Sequence, residues 1–485
     1  MTANGALPAV FAEPRLPHHQ FSLSQIQFVI HKLVLVARTS LRAAERVCVV
    51  VAEFCGATWD APHHTTARTW LLRIGLFQLQ RPKERAADWV WLVDHTVQIG
   101  REKCLVVLGV RLSQLPPPGE PLRREHLTPL AVLPVTHSDQ RVVAQQLEQT
   151  VAATGTPRAI LGDHGGDLQA GVRRFCERHS ETANLYDVAH RAASLLKTRL
   201  ERDERWSCFC TRAGQTKFQT QQTEWAFLVP PAQRSKARYM NLEPLLNWGT
   251  RVLRVLDEQP AATLRHGTPE RLREKFGWLD EYRAALAEWS QWQALVSQGV
   301  DEVRRFGYSA GAASRVARRL APLAATRSGQ TLCAAVVAFV RSESATARPA
   351  ERLPGSSEIL ESVFGQLKSL EGDHAKGGFT GMLLGLGALV GRLDAPTIRE
   401  ALLKTPWKQV THWIRQNLGQ TLGSKRRETH LPTPPNRTTS TMNECAGQPQ
   451  IFNNPRPHQR RPDQHHRRPG AVLAKRHRLP VDTGK

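Results

Sequence analysis

The sequence predicts an α/β domain that is interrupted by a large all-helical insertion and preceded by a helical segment. Three observations predict this class. Short apolar runs alternate with helical segments between residues 88 and 190, which is typical of an α/β sheet. Residues 191–350 have helical periodicity without a strand pattern, and so do residues 22–80. We therefore expect one sheet-containing domain that the insertion divides into two separate parts of the sequence.

The predicted boundaries follow shifts in composition and breaks in periodicity. We expect a flexible arm, a helical segment, an α/β domain in two pieces with the insertion between them, and a disordered basic tail. In chain order these parts are residues 1–20, 21–87, 88–190, 191–350, 351–422 and 423–485.

The charge balance points to a polyanionic partner. Lysine and arginine number 66 against 43 for aspartate and glutamate, a formal net charge of +23. Each phosphate contact releases condensed counterions, so such an excess favours nucleic acid.

The eight cysteines lack metal-ligand spacing, and residues 1–19 lack the pattern of a signal peptide. The most apolar stretch, residues 378–390, is too short for a bilayer. We expect a cytoplasmic, nucleoid-associated protein without a membrane partner.

Helical periodicity runs from Ser22 to about Gln80, and Ser40 is a predicted N-cap within it. After a break at residues 56–62, a helix is predicted over residues 63–75. A helix, a short turn and a helix that opens with polar and basic residues is a helix-turn-helix-like layout, whose second helix enters the major groove. A plain helical bundle is the alternative. The predicted inner face is Ala67, Trp70, Leu71 and Ile74. The predicted DNA-facing residues are His64, Thr65, Arg68 and Thr69.

Five apolar runs between residues 88 and 190 are predicted strands. A helix is expected after the third run, over residues 139–154, and another after the fourth, around residues 167–179. Three strands, helix, strand, helix and strand is the order of an RNase H-like sheet, although other α/β folds share it. The runs are Trp89–Asp94, Cys104–Val110, Leu130–Val135, Pro157–Asp163 and Asn184–Asp187.

Two aspartates end the first and fourth predicted strands, Asp94 and Asp163. The carboxyl ends of neighbouring strands converge on one edge of an open sheet. Carboxylates in such proximity raise each other's pKa unless a cation is bound between them. Mg²⁺ prefers oxygen ligands and keeps several waters, so it suits such a site. A single aspartate at the end of a strand is more often a turn residue or a helix cap than a metal ligand. The expected position of both aspartates at one edge of the sheet is what favours a metal site.

A third carboxylate is expected from a helix beside the first strand. Residues 356–368 contain Glu358 and Glu361, three residues apart and so near one face. Lys368 follows Glu361 by seven residues, two turns on, where its ammonium can meet a DNA phosphate. This spacing favours Glu361 as the ligand over Glu358.

With these residues the chain resembles the DDE/D transposases, particularly the bacterial insertion-sequence and Mutator/hAT-like branch. Those families carry a D-x-x-H or C-x-x-H motif before a helical insertion, and this chain has Asp187-Val188-Ala189-His190 there. Glu361 and Lys368 match their E-x6-K signature. One subgroup has Tyr and Arg where this chain has Pro354 and Ser357, which argues against membership of that subgroup.

The resemblance implies a transposase that binds the ends of its mobile element as a homo-oligomer on double-stranded DNA. It implies catalysis by Asp94, Asp163 and Glu361 with two Mg²⁺ ions, or Mn²⁺ in their place, and a supporting role for Asp187 and His190. It also implies that an aromatic residue of the insertion can stack on a flipped base, although most of its tryptophans are expected in the core. The alternatives are a transposase-derived regulator without activity and another RNase H-like nuclease.

Overall fold

The structure is a computed structural model that describes residues 21–54, 56, 60–97, 102–233, 239, 241–372 and 377–429. The predicted arm over residues 1–20 lies outside the described residues, and so does the predicted tail from residue 430 onward.

A single five-stranded mixed sheet forms the α/β part, in the order β3-β2-β1-β4-β5. The strand β2 pairs antiparallel with both β1 and β3, whereas β4 pairs parallel with both β1 and β5. An α/β part with helical parts around it is therefore confirmed. The strands β1 to β5 are Trp89–Val97, Lys103–Arg111, Thr128–Val135, Ala159–Gly162 and Ala183–Tyr186.

The first strand differs from the prediction. It does not end at Asp94 but continues to Val97, because His95 and Thr96 still pair with β2. The last strand ends at Tyr186, so Asp187 is not part of it but caps the next helix. Asp163 directly follows β4, as expected.

Two helices cover one face of the sheet, and the alternation of side chains along the strands explains why. Residues of β1 that point to this face, Trp91 and Val93, are buried against α4 (Gln140–Thr154) and α5 (Gly166–Arg178). Their neighbours point to the opposite face and join the larger core. Both faces are thus apolar, which gives the near-continuous hydrophobic runs of the sequence.

The helical segment before the sheet contains α1 and a π-helical stretch, residues 28–36, followed by α2 and α3. The predicted cap Ser40 accepts a hydrogen bond from the backbone of Ala43, and Ser22 accepts one from the backbone of Gln25. The helix predicted over residues 63–75 begins at His64 and is longer than expected. The bounds of α1 to α3 are Leu23–Gln27, Leu41–Phe54 and His64–Gln80.

The regular elements that the structure describes between residues 191 and 350 are helical, as predicted. The first of them, α6, already begins at Val188, directly after β5. Of the six tryptophans in this part, five are buried and Trp278 is partly exposed, with Nε1 donating to Thr216. The helices α6 to α13 are Val188–Leu200, Glu204–Thr220, Glu243–Glu258, Ala261–Leu264, Pro269–Phe276, Arg283–Phe306, Ala312–Leu320 and Arg327–Ser344.

Among the described residues, five helices follow the insertion. The last of them begins one residue before the predicted disordered tail, and the prediction is wrong for residues 423–428. Thr421 caps that helix by accepting from the Ser424 backbone. Among the described residues, no helix has both the length and the apolar character needed to cross a membrane. The helices α14 to α18 are Glu358–Glu371, Gly385–Leu389, Ala395–Lys404, Trp407–Asn417 and Leu422–Glu428.

The helix α3 packs closely against α15, although more than 300 residues separate them in sequence. Glycines allow this approach. A Cβ placed on Gly75 would overlap the carbonyl oxygen of Leu384, and a Cβ on Gly387 would overlap that of Gly75. The predicted inner face of α3 is buried here, together with Leu72 and most of the helix beyond it. The glycine-rich stretch 378–390 is therefore an interhelical contact.

Replacing Gly75 by alanine should force α3 and α15 apart. We expect the free energy of unfolding to fall by about 2–3 kcal/mol, since overpacking a tight contact costs this much. Chemical denaturation measures it. The control is Gly214→Ala in α7, where a Cβ meets nothing within 4 Å. That variant should gain about 0.5–1 kcal/mol, because alanine suits a helix interior better than glycine. Equal stability of the two variants would refute the close contact.

Candidate active site

The register between β1 and β4 brings Asp94 and Asp163 together. Val93 pairs with Gly162 in the parallel ladder, so the next residues of the two chains are Asp94 and Asp163 at the same level. Both carboxylates are partly buried. The Asp94 carboxylate accepts from the His95 backbone at 2.6 Å. A Cβ on Gly165 would come within 3.3 Å of the Asp163 carboxylate, so the glycine leaves room for that side chain.

The third carboxylate arrives on α14, which packs beside β1. Glu361 lies in the first turn of this helix, and its side chain is 44% exposed. It is close enough to Asp94 for its charge to raise the pKa of that residue. The structure thus brings Asp94, Asp163 and Glu361 to one edge of the sheet from two strands and a helix.

The orientation of α14 depends on Asp187. Its side chain is fully buried and caps α6 by accepting from the His190 backbone at 2.8 Å. The other carboxylate oxygen accepts from the backbone and the hydroxyl of Ser357, the residue before α14. One carboxylate therefore connects the starts of two helices that are 170 residues apart in sequence.

The segment before α14 is held against the insertion as well. Tyr308 and Leu353 exchange backbone hydrogen bonds, and the Tyr308 hydroxyl donates to the carbonyl of Tyr186. The Val188 backbone donates to the carbonyl of Gly355. A Cβ on Gly355 would overlap Val303, so only glycine fits at this crossing. These contacts anchor the segment at the end of β5 and position Glu361.

His190 connects Asp187 to the carboxylate cluster. Its Nδ1 lies 3.1 Å from Asp187 Oδ1, and its Nε2 lies 3.5 Å from Glu361 Oε1. Burial alone would lower the pKa of His190, but the hydrogen bond and charge of Asp187 raise it to about 9. His190 is therefore protonated near pH 7. Its positive charge partly offsets the charges of Asp163 and Glu361.

The three carboxylates have raised pKa values. Burial and then the charge of Asp163 raise the pKa of Asp94 to about 7. Burial is also the largest cause of the raised pKa values of Asp163 and Glu361, although His190 opposes it in both. A divalent cation bound among them would relieve this penalty on the charged form.

Glu358 and Lys368, also on α14, lie in different surroundings. Glu358 forms an ion pair with Arg304 and accepts from the Ser356 hydroxyl at 3.1 Å, so its charge is already compensated. The geometry therefore favours Glu361 over Glu358. Lys368 is exposed in the last turn of α14, two turns beyond Glu361.

Sequence reasoning missed a fourth carboxylate near the site. Asp167, at the start of α5, raises the pKa of Asp163 by its charge. Lys103 contacts both of its carboxylate oxygens at 2.7 and 2.8 Å, and Ser138 donates to one of them at 2.7 Å. Asp167 is thus neutralised by protein groups, whereas the positive charge that lowers the pKa of Asp94, Asp163 and Glu361 is that of His190. The acidic turn from Asp163 to Asp167 can be recognised in the sequence, but the partners of Asp167, Lys103 and Ser138, are distant from it in sequence.

The predicted DNA-facing residues lie in the first two turns of α3. Thr65 and Arg68 are exposed, and the partly buried Thr69 donates to the Thr65 carbonyl at 2.9 Å. The His64 ring contacts Glu45 of α2 at 2.8 Å. Their contact with DNA remains a prediction.

Comparison with known proteins gives little. No family model matches the chain, and no curated protein matches its sequence. Among solved structures, the strand transfer complex of the Drosophila P element transposase aligns with a TM-score of 0.37 and 11% sequence identity. The alignment covers 80% of this chain and 93% of that chain. A likeness this distant is not sufficient to assign a fold or an activity to the present chain.

Replacing Asp187 by asparagine should loosen both helix starts. Asparagine keeps the shape but loses the charge and places an amide donor where the carboxylate accepts. We expect a loss of about 3 kcal/mol in unfolding free energy, since breaking a buried ion pair costs this much. The pKa of His190, followed by NMR, should fall below about 9. As a control, Asp139→Asn alters the exposed cap of α4, where asparagine caps as well as aspartate, and should leave the stability nearly unchanged. An unchanged pKa of His190 would contradict the proposed link.

Asp94→Asn should stabilise the metal-free protein at about pH 8. The pKa of Asp94 is about 7 in the fold and about 3.9 in an unfolded chain. A raised folded-state pKa gives a stability contribution that is complete below about pH 4 and is lost as pH rises through about 7. Asparagine removes this loss, so Tm should rise by about 1–3 °C at pH 8 and change little at pH 4. If Tm at pH 8 falls instead, burial and the neighbouring charges do not penalise the charged form of Asp94 in the fold.

Proposed function

We propose that this chain is a DNA transposase of the DDE/D class with an RNase H-like catalytic domain. The observation that carries the proposal is the meeting of Asp94, Asp163 and Glu361 at one edge of the sheet with raised pKa values. The order of elements supports the fold, since three antiparallel strands precede two parallel ones with α4 and α5 between them. The net charge of +23 supports a nucleic-acid partner.

The donor set fits divalent cations. Carboxylate oxygens are the ligands that Mg²⁺ prefers, and Mn²⁺ accepts the same set. Asp163 and Glu361 help raise the pKa of Asp94 through their charge, and cations bound among the three carboxylates would relieve this repulsion. When bound, such ions favour deprotonation of a water or 3′-hydroxyl and stabilise the leaving oxygen.

The residues around the carboxylates would then hold them and the DNA in place. Asp94, Asp163 and Glu361 would hold the ions. Asp187 keeps the His190 ring oriented, and the protonated ring directs the Glu361 carboxylate toward the sheet. Lys368 is exposed on the same helix and would contact a DNA phosphate. Thus α14 would contribute both a ligand and a DNA contact.

DNA recognition would come from the start of α3. Thr65 and Arg68 are exposed there, next to His64 and Thr69, at the end of the helix that can enter a major groove. The protein would bind the terminal repeats of its element, pair two ends as a homo-oligomer and join the cleaved 3′-ends to target DNA. The specific sequence would be read by α3 and the phosphates held by the basic surface.

The test is a cleavage and joining assay. Purified full-length protein is incubated with Mg²⁺, a supercoiled target plasmid and a pool of fragments covering the DNA on both sides of the coding sequence. We expect nicks at defined positions and joined products. Asp163→Asn and Glu361→Gln should each reduce both by about 100-fold or more, the effect of losing one preorganised charge in an active site. Glu358→Gln is the matched control, because Glu358 lies on the same helix but pairs with Arg304, and it should retain most activity.

The other outcomes identify the alternatives. Specific binding of flanking DNA without any cleavage in Mg²⁺ or Mn²⁺ would indicate a transposase-derived regulator. Cleavage of branched DNA, added as a parallel substrate, without joining would indicate a structure-specific nuclease. Full activity of Asp163→Asn would exclude this carboxylate cluster as the catalytic site.

A further inference from the structure

We propose that Glu45, His63 and His64 form a binding site for one transition-metal ion of the Zn²⁺ class. The site is separate from the three carboxylates of the sheet and independent of the proposed transposition chemistry. One ligand atom of each residue lies within 4.8 Å of the others. Among the described residues, it is the one group of three such side chains that meets this distance.

Glu45 and His64 form the fixed part of the site. Glu45 lies on α2, and His64 is the first residue of α3. Glu45 Oε2 accepts from the His64 backbone at 3.0 Å and lies 2.8 Å from His64 Nδ1. Neighbouring ligands of a tetrahedral Zn²⁺ ion are about 3.3 Å apart, given bonds of about 2.0–2.1 Å. An opening of about 0.5 Å, within the range of a small side-chain rotation, would therefore admit an ion.

His63 completes the set because the chain turns at its backbone. Its φ of −57° and ψ of 146° place it outside α3, and its ring lies 4.0 Å from the His64 ring, between centroids. Its Nδ1 lies 2.7 Å from the Thr65 hydroxyl. In the metal-free structure Nδ1 also caps α3 by accepting from the Thr65 backbone at 3.4 Å. Binding of a metal through Nε2 would place the proton on Nδ1, which would then donate to the Thr65 hydroxyl. Metal-bound histidines commonly donate their second nitrogen to an oxygen in this way.

The ligand types select the metal. Two imidazoles and one carboxylate are a ligand set of Zn²⁺ with a fourth position for water, and they suit Co²⁺ and Ni²⁺ as well. Mg²⁺ prefers oxygen ligands and would not compete. The positive end of the α3 dipole opposes a cation, but this effect is small beside the affinity that three ligands provide. The Glu45 charge reduces it further.

Such an ion would tie α2 to the first turn of α3. The residues Thr65 and Arg68 follow directly on the exposed side of that turn. Closing the chain between residues 45 and 63 also reduces the entropy of the unfolded state. The ion would therefore stabilise the helical segment and fix the surface that follows it.

The experiment uses full-length protein titrated with Co²⁺ in millimolar Mg²⁺, which saturates carboxylate sites. Visible absorption bands of Co²⁺ report nitrogen ligation, and Zn²⁺ should remove them. We expect His63→Ala and His64→Ala each to weaken the affinity for one Co²⁺ ion at least tenfold. Each variant should also lose the Zn²⁺-dependent rise in Tm. Histidines elsewhere also bind such ions, so the result is the difference between wild type and variant.

His179→Ala is the matched control. Its Nε2 lies 3.0 Å from Glu148, so it is an imidazole–carboxylate pair without a second imidazole, and it should leave the binding unchanged. His63 is exposed, so its replacement tests binding without unfolding α3, which far-ultraviolet circular dichroism checks. Binding of the same number of Co²⁺ ions to wild type and to both histidine variants would overturn the proposal. Loss of the bound Co²⁺ ion in both histidine variants, with binding retained in His179→Ala, would support it.

Discussion

The placement of the candidate active site depends on the buried carboxylate of Asp187. It accepts from the backbone and ring of His190 and from the backbone and hydroxyl of Ser357. Burial disfavours the charged form, but these donors and the His190 charge hold the pKa of Asp187 below its usual range. Because the buried charge of Asp187 needs these four hydrogen bonds, the segments that carry His190 and Ser357 are held in place. The start of α14, and with it Glu361, follows from this requirement.

Local pattern predicted much of the sheet and the helices around it. The strands were visible as apolar runs because both faces of the sheet are covered, and Asp163 directly follows its strand as expected. The end of β1 was not predictable from the run itself. His95 and Thr96 resemble loop residues, and only pairing with β2, which begins at Lys103, keeps them in the strand.

Long-range contacts of polar groups are what the sequence could not supply. Ser357 stands where one subgroup of the resembling family has Arg, and no local pattern indicates that it donates to Asp187. The neutralisation of Asp167 by Lys103 and Ser138 is of the same kind. Such pairs depend on the folded path of the chain, whereas helix caps such as Asp139 lie within a few residues of their donors and can be read directly.

The glycine contact between α3 and α15 has a consequence for how the molecule can be divided. Leu71, Leu72 and Ile74 are fully buried, and α3 packs on α15 and α16 near the other end of the described chain. A fragment limited to residues 21–87 would present this apolar surface to water and would associate or precipitate. The contribution of the first helices is therefore accessible through point substitutions in the intact polypeptide, and not through excision of a module.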